Sequence, residues 1–138
     1  MKKTILIIPG FIVSFYACSE NLVAENTESK ACLNISPANY MSECLSVLKR
    51  KKEKQYISQY KIFIDDVNSK KEIIINYNDF LSGITEAKSN FESYMRNECS
   101  AYASQLVKDS PAYHSIFNQC MINFYGQRID FYKNYDFQ

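Results

Sequence analysis

The stretch 91–128 constrains this chain more than any other. Phe91, Tyr94, Glu98 and Ala101 recur at helical steps of three and four residues, or multiples of them, and Phe117, Met121, Phe124, Arg128 and Phe131 do the same further on. Between the two runs stands Ser110-Pro111, a helix-start pair. The serine oxygen accepts an otherwise unpaired backbone N–H, and proline tolerates the first helical position because it needs no donor there. The pattern dictates a helix, a tight turn and a returning helix. Cys99 lies late in the first helix and Cys120 early in the second. A cystine between them would pin the hairpin, though other pairings stay open.

Upstream, Ser36-Pro37 repeats the start signal. Met41, Leu45, Leu48, Tyr56, Tyr60, Phe63 and Val67 then mark one face of a long helix. Its gap falls in the basic run 49–54, read as a solvated helix face with the Lys52 stem covering apolar surface. Asn68-Ser69 ends that helix. Ile73-Ile74-Ile75 is too short for a sheet and reads as a helical or irregular connector that buries two of its three isoleucines. Asn78 or Asp79 caps the next helix, with Phe80, Ile84, Ala87, Phe91, Tyr94 and Ala101 as its stripe, running to about Leu106. Gly83 inside it predicts a close helix crossing. The last helix runs from Pro111 or Ala112 to about Tyr135. With only three Gly and three Pro in 138 residues, the fold expected is all-α: a small bundle of three long helices plus a short connecting helix, stapled by disulfides at one end.

The 91–128 stretch also resembles the LprI-like lysozyme-inhibitor domain family. That family has an Ala-Gln-x-x-Trp-x-x-Tyr-Arg-Asp-x-x-Cys helix, a loop, then Cys-Leu and an Arg eight residues after that Cys. Ala87, Phe91, Tyr94, Cys99, Cys120, Met121 and Arg128 fall at matching steps. Phe91 stands in place of Trp, Lys88 in place of Gln, Met95-Arg96 in place of Arg-Asp, and the loop lacks Gly. The resemblance covers most of the chain after Ala31. It implies a periplasmic protein that binds and inhibits a lysozyme or another peptidoglycan hydrolase.

The N-terminus reads as a targeting segment. Lys2 and Lys3 precede an apolar run over residues 4–15, which is too short to span a bilayer stably. It ends in Phe15-Tyr16-Ala17-Cys18, similar to a bacterial lipobox. This divides the chain into a signal peptide at 1–17, a flexible tether at 18–30 and a helical domain at 31–138. Lipidating Cys18 removes one of five cysteines and leaves four. Ser19 after it favours the outer membrane by resemblance to bacterial sorting. Loss of Lys2 and Lys3 changes the formal net charge from +1 to −1, which implies no nucleic-acid partner.

The topology gathers Cys32, Cys44, Cys99 and Cys120 at one end of the bundle. Two intradomain cystines are expected there, in any of three connectivities. Without a Cys-x-x-Cys pair and with one histidine, no metal or other cofactor is expected. Nor is catalysis expected. His114 is the only histidine and has no nucleophile motif beside it, Asp65-Asp66 point about 100° apart on a helix, and no Gly-rich phosphate loop exists. Arg128 interrupts an apolar stripe and calls for a carboxylate such as Glu98 or Glu92.

Binding is therefore the expected activity: inhibition of a lysozyme, with immunity against a secreted wall-degrading toxin, or a non-inhibitory envelope lipoprotein, as the other readings. The expected partner surface is the turn 107–114, where Lys108 and His114 offer charge and Ser110 and Tyr113 offer hydroxyls. The leader makes its own prediction. Mass spectrometry of the membrane fraction should show Cys18 as an acylated N-terminus, and a soluble periplasmic product beginning elsewhere would refute it.

Overall fold

The computed structural model describes residues 27–137, so Cys18 and most of the tether lie outside the described residues. The fold is all-α: α1 (Thr27–Leu33), α2 (Ala38–Ser69), α3 (Tyr77–Ala103) and α4 (Pro111–Lys133). The three long helices are the expected ones. The short helix is not the connector between them but α1, so residues 27–30 are helical rather than part of a tether, and Ser29 is buried. Seven residues are too few turns for an isolated helix to persist in water. This one is held by the Cys32–Cys44 bond and by packing on α2.

The order of contacts fixes the topology. Tyr56 of α2 meets Glu92 of α3, and Asn68 meets Tyr77, so α2 and α3 are antiparallel. Cys99 joins Cys120 while Phe91 meets Phe124, so α3 and α4 are antiparallel as well. Glu28 pairs with Lys51 while Cys32 joins Cys44, so α1 runs back along α2. Both cystines therefore lie toward the same end, as the sequence implies, and each contributes about 2–4 kcal/mol by restricting the unfolded chain.

The core is a seam of aromatic rings between α2 and α4. Tyr56 packs on Tyr125 and Tyr132 at 5.3 and 6.1 Å between ring centres, and Phe63 stacks on Tyr132 at 5.0 Å. At the far end Phe63, Phe80, Tyr135 and Phe137 close the bundle. The α2 face reads as expected, with Leu45, Leu48, Tyr56, Phe63 and Val67 buried and Met41 and Tyr60 half-buried. The other two stripes are rotated. On α3 the buried residues are Met95, Cys99 and Ala103, whereas Ala87, Tyr94 and Ala101 are exposed. On α4 they are Ser115, Asn118, Met121, Ile122, Tyr125, Gly126, Ile129 and Tyr132, while Phe117, Phe124 and Arg128 are half-buried and Phe131 is exposed. The reason is that α4 has two apolar faces. One is shut against α2, and the other, carrying the residues of the sequence stripe, leans on α3 and stays partly open.

Local signals differ too. Ser110 caps α4 as its sequence dictates, accepting a hydrogen bond from the Tyr113 N–H at 3.1 Å. At α2 the N-cap is Pro37 itself, in extended conformation, and no side chain caps the helix. Ser36 therefore sits one residue too early. The α3 cap is Asn76, again without a side-chain bond, which places Asp79 in the first turn, where its charge suits the helix dipole. The α3 helix stops at Ala103, short of Leu106. Residues 70–76 form successive turns in which Ile74 is half-buried against the core while Ile73 and Ile75 are 72% and 96% exposed, so the connector half-buries one isoleucine and does not bury two.

Gly83 serves no close crossing. A Cβ built there meets nothing within 4 Å. Glycine in a helix interior costs about 0.5–1 kcal/mol relative to alanine, with no packing gain here to offset it. Gly83→Ala should therefore stabilise the domain by that amount, read as a higher denaturation midpoint in urea with an unchanged slope. A lower midpoint would show that this position needs glycine.

Candidate functional site

The stapled end is built from the α3–α4 connection. Leu106 N–H bonds Ala103 O at 3.0 Å and Ser110 N–H bonds Val107 O at 3.1 Å, so the turn is hydrogen-bonded step by step. Asp109 takes φ 62°, a left-handed conformation that Asp tolerates better than most side chains. The Cys99–Cys120 bond and the Ser110 cap then fix the turn to both helices. Its surface is apolar as well as charged, with Val107 79% exposed and Leu106 39%.

This turn brings the four expected partner residues together. Lys108 and His114 are exposed, and Ser110 and Tyr113 are half-buried. The Tyr113 and His114 rings meet edge to face at 5.6 Å. The Ser110 hydroxyl oxygen is already occupied by the cap bond, which makes that residue a brace for the turn more than a contact for a partner.

Beside the turn lies a groove of about 690 Å³ that sequence reasoning missed. Leu33 of α1, Met41 of α2, Tyr102 of α3, Leu106 of the turn and Ile116 and Phe124 of α4 supply its apolar wall, with Glu98 and Gln119 as polar points. Gln119 donates to Ser29 and Asn123 at 3.3 and 3.2 Å, while its Oε1 is shut off from solvent without a partner. The available signal was the run Tyr102, Leu106 and Ile116 around the turn. The wall could not be completed without knowing that α1 returns Leu33 to the same place.

A second polar cluster crosses the middle of the bundle. Lys88 and Tyr56 both reach Glu92 Oε1, at 2.6 and 3.2 Å, and the Lys88 ammonium stands 5.2 Å from the Tyr60 ring centre. Burial, then the neighbouring Tyr132 and Glu92, push the Tyr56 hydroxyl well above its ordinary value. Burial, then Glu53, do the same at Tyr125. Both rings are buried in the seam between α2 and α4. The other sequence candidates are dispersed. Lys51 of the basic run pairs with Glu28 at 2.8 Å, and Asp66 pairs with Lys70 at 2.8 Å while Asp65 is exposed. No three His, Cys, Asp or Glu side chains among the described residues lie close enough to hold a metal ion.

Of the family-motif positions, Met121 is buried, Phe91 half-buried, and Ala87 and Tyr94 exposed. Arg128 departs from expectation. Its guanidinium meets neither Glu98 nor Glu92 but lies 4.3 Å from the Phe131 ring centre, 4.9 Å from Tyr132 and 5.1 Å from Phe91. Three rings offer their electron-rich faces to the cation, which replaces the ion pair as its stabilisation.

No family model, curated protein or solved structure matches the chain. The two cystines belong to an oxidising compartment, extracellular or periplasmic. Among the described residues no helix is long and apolar enough to cross a membrane.

Tyr56 and Tyr125 predict an alkaline limit to stability. Unfolded, both ionise near the ordinary value of 10.0; folded, both are held above it. The stability they confer is complete below about pH 10 and is lost as pH rises from there toward the folded values. Melting curves should show Tm falling above about pH 10, and Tyr125→Phe should make that fall shallower. An equally steep fall in the variant would show that Tyr125 titrates normally.

Proposed function

We propose that this chain is a cell-envelope binding protein that inhibits a lysozyme or a related peptidoglycan hydrolase, held to the outer membrane through lipid on Cys18. The observation that carries this reading is the turn 104–110: a hydrogen-bonded projection, pinned by Cys99–Cys120, with Val107 and Lys108 exposed at its surface. Blocking a glycan hydrolase takes a projection that enters a cleft, and the sides of long helices are too flat for that. A projection already held in one conformation loses little entropy on binding.

Charge supports the same surface. Glycosidases place two carboxyl groups in the cleft, and Lys108 and His114 bring cationic or hydrogen-bonding groups to meet them. The groove beside the turn adds Tyr102 and Ile116 as apolar contacts next to those polar groups, and aromatic side chains are among those that protein interfaces concentrate. The class of target comes from the resemblance of residues 87–128 to the LprI-like family, and the envelope location from the leader and the cystines.

The test is a panel of lysozymes and periplasmic hydrolases assayed with the mature domain. Lys108→Ala with Tyr113→Ala should weaken inhibition at least about tenfold, equivalent to about 1.4 kcal/mol. Lys51→Ala with Lys54→Ala should change it little, because exposed charges of this kind contribute at most about 1 kcal/mol to folding and lie outside the turn. Undiminished inhibition by the first pair, with the helical circular dichroism intact, removes the turn from consideration. Failure to bind any lysozyme, with tight binding to a secreted wall-degrading toxin, replaces inhibition by immunity.

A further inference from the structure

The rotation of α4 leaves an aromatic strip on the outside of the α3–α4 pair. Tyr94 packs edge-on against Phe124 at 5.6 Å, Phe124 against Phe91 at 6.1 Å, and Phe91 and Phe131 flank the Arg128 guanidinium. None of these rings is sealed in the core: Tyr94 is 53% exposed, Phe131 is 40% exposed, and Phe91, Phe124 and Arg128 are half-buried. Tyrosine, phenylalanine and arginine are the residue types that protein interfaces concentrate.

Arg128 gives the strip its chemistry. The rings of Phe91, Phe131 and Tyr132 surround the guanidinium. Its Nε is shut off from solvent without a partner, whereas its terminal nitrogens are not shut off, and it makes no ion pair with any described carboxylate. What remains is a cation fixed by rings, with terminal N–H donors free to meet a planar acceptor. A carboxylate matches that fork with two parallel hydrogen bonds. Asp130 and Asp136 line a recess with Phe131 beside the strip, which opposes a broad anionic surface such as a membrane more than a single carboxylate seated on the Arg128 fork.

We infer that the strip Tyr94, Phe124, Phe91, Arg128 and Phe131 is a second interaction surface, which takes a protein segment carrying an Asp or Glu side chain next to an apolar residue. The carboxylate docks on the Arg128 terminal nitrogens, and the apolar neighbour covers Phe131 or Tyr94. Arg128 lies eight residues beyond Cys120, about 12 Å along the α4 axis, so the strip shares Phe124 with the groove but its charged centre is separate from the turn and stands whether or not the turn binds a hydrolase.

The experiment selects a random-peptide display library on the mature domain and measures the enriched peptides by calorimetry. Enriched sequences should pair an acidic residue with an apolar neighbour. Arg128→Gln should weaken them at least about tenfold, as should replacing the peptide's acid by its amide, and the two changes together should be no worse than either alone. An arginine that merely supports the fold would lower Tm and leave peptide affinity unchanged. Should Arg128→Gln fail to fold, Phe131→Ala and Tyr94→Ala at exposed positions decide: weakened peptides support the surface, and unchanged affinity overturns it. Enriched peptides without acid, peptides displaced only by Lys108→Ala, or Arg128-dependent binding of phosphatidylglycerol vesicles or soluble peptidoglycan fragments in their place would each overturn it.

Discussion

The bond between Cys99 and Cys120 sets how α3 and α4 are rotated about their own axes. Cys99 is fully buried, and the residues one turn away on either side, Met95 and Ala103, are buried with it. That choice of face turns Tyr94 and Ala101 outward. On α4 it places Cys120, Phe124 and Arg128 along α3 and leaves Tyr125, Ile129 and Tyr132 to fill the space against α2. A helix that is apolar over so wide an arc has no single preferred orientation from burial alone. A covalent link removes the ambiguity, and the aromatic seam then packs around the result.

This explains which parts of the fold were legible in the sequence. The three long helices were, because Ser110-Pro111 is a physical start signal and the α2 face is a narrow stripe from Met41 to Val67. The rotation of α4 was not. The spacing of Phe117, Phe124, Arg128 and Phe131 is as helical as that of Asn118, Tyr125, Ile129 and Tyr132, and periodicity cannot say which of two faces meets the larger neighbour. Nor was α1 legible, since a helix of seven residues shows less than two full turns of pattern and owes its existence to a cystine and to α2.

The same limits apply to the candidate surfaces. The turn could be placed from the sequence because its residues are adjacent in the chain. The groove could not, because its wall is assembled from α1, α2, α3 and α4. Arg128 stands out in the sequence as a charge on an apolar stripe, but the sequence does not show which groups neutralise it. A carboxylate is the commoner partner for a half-buried arginine, and here aromatic faces take that role, which leaves the hydrogen-bonding edge uncommitted.

The antiparallel return of α1 has a mechanical consequence. The described chain begins at Thr27 alongside Lys51, part-way down α2, and proceeds toward the stapled end before turning at residues 34–37. A pull on the leading segment would first peel the few residues ahead of Cys32. Tension would then pass through sulfur directly into α2 at Cys44, twelve residues later in sequence. The eleven residues between the two cysteines bear none of that load, and the roughly 40 Å of slack they would release when extended stays locked in the loop. The non-covalent seam between α2 and α4 is therefore loaded from a fixed point near one end of its longest helix.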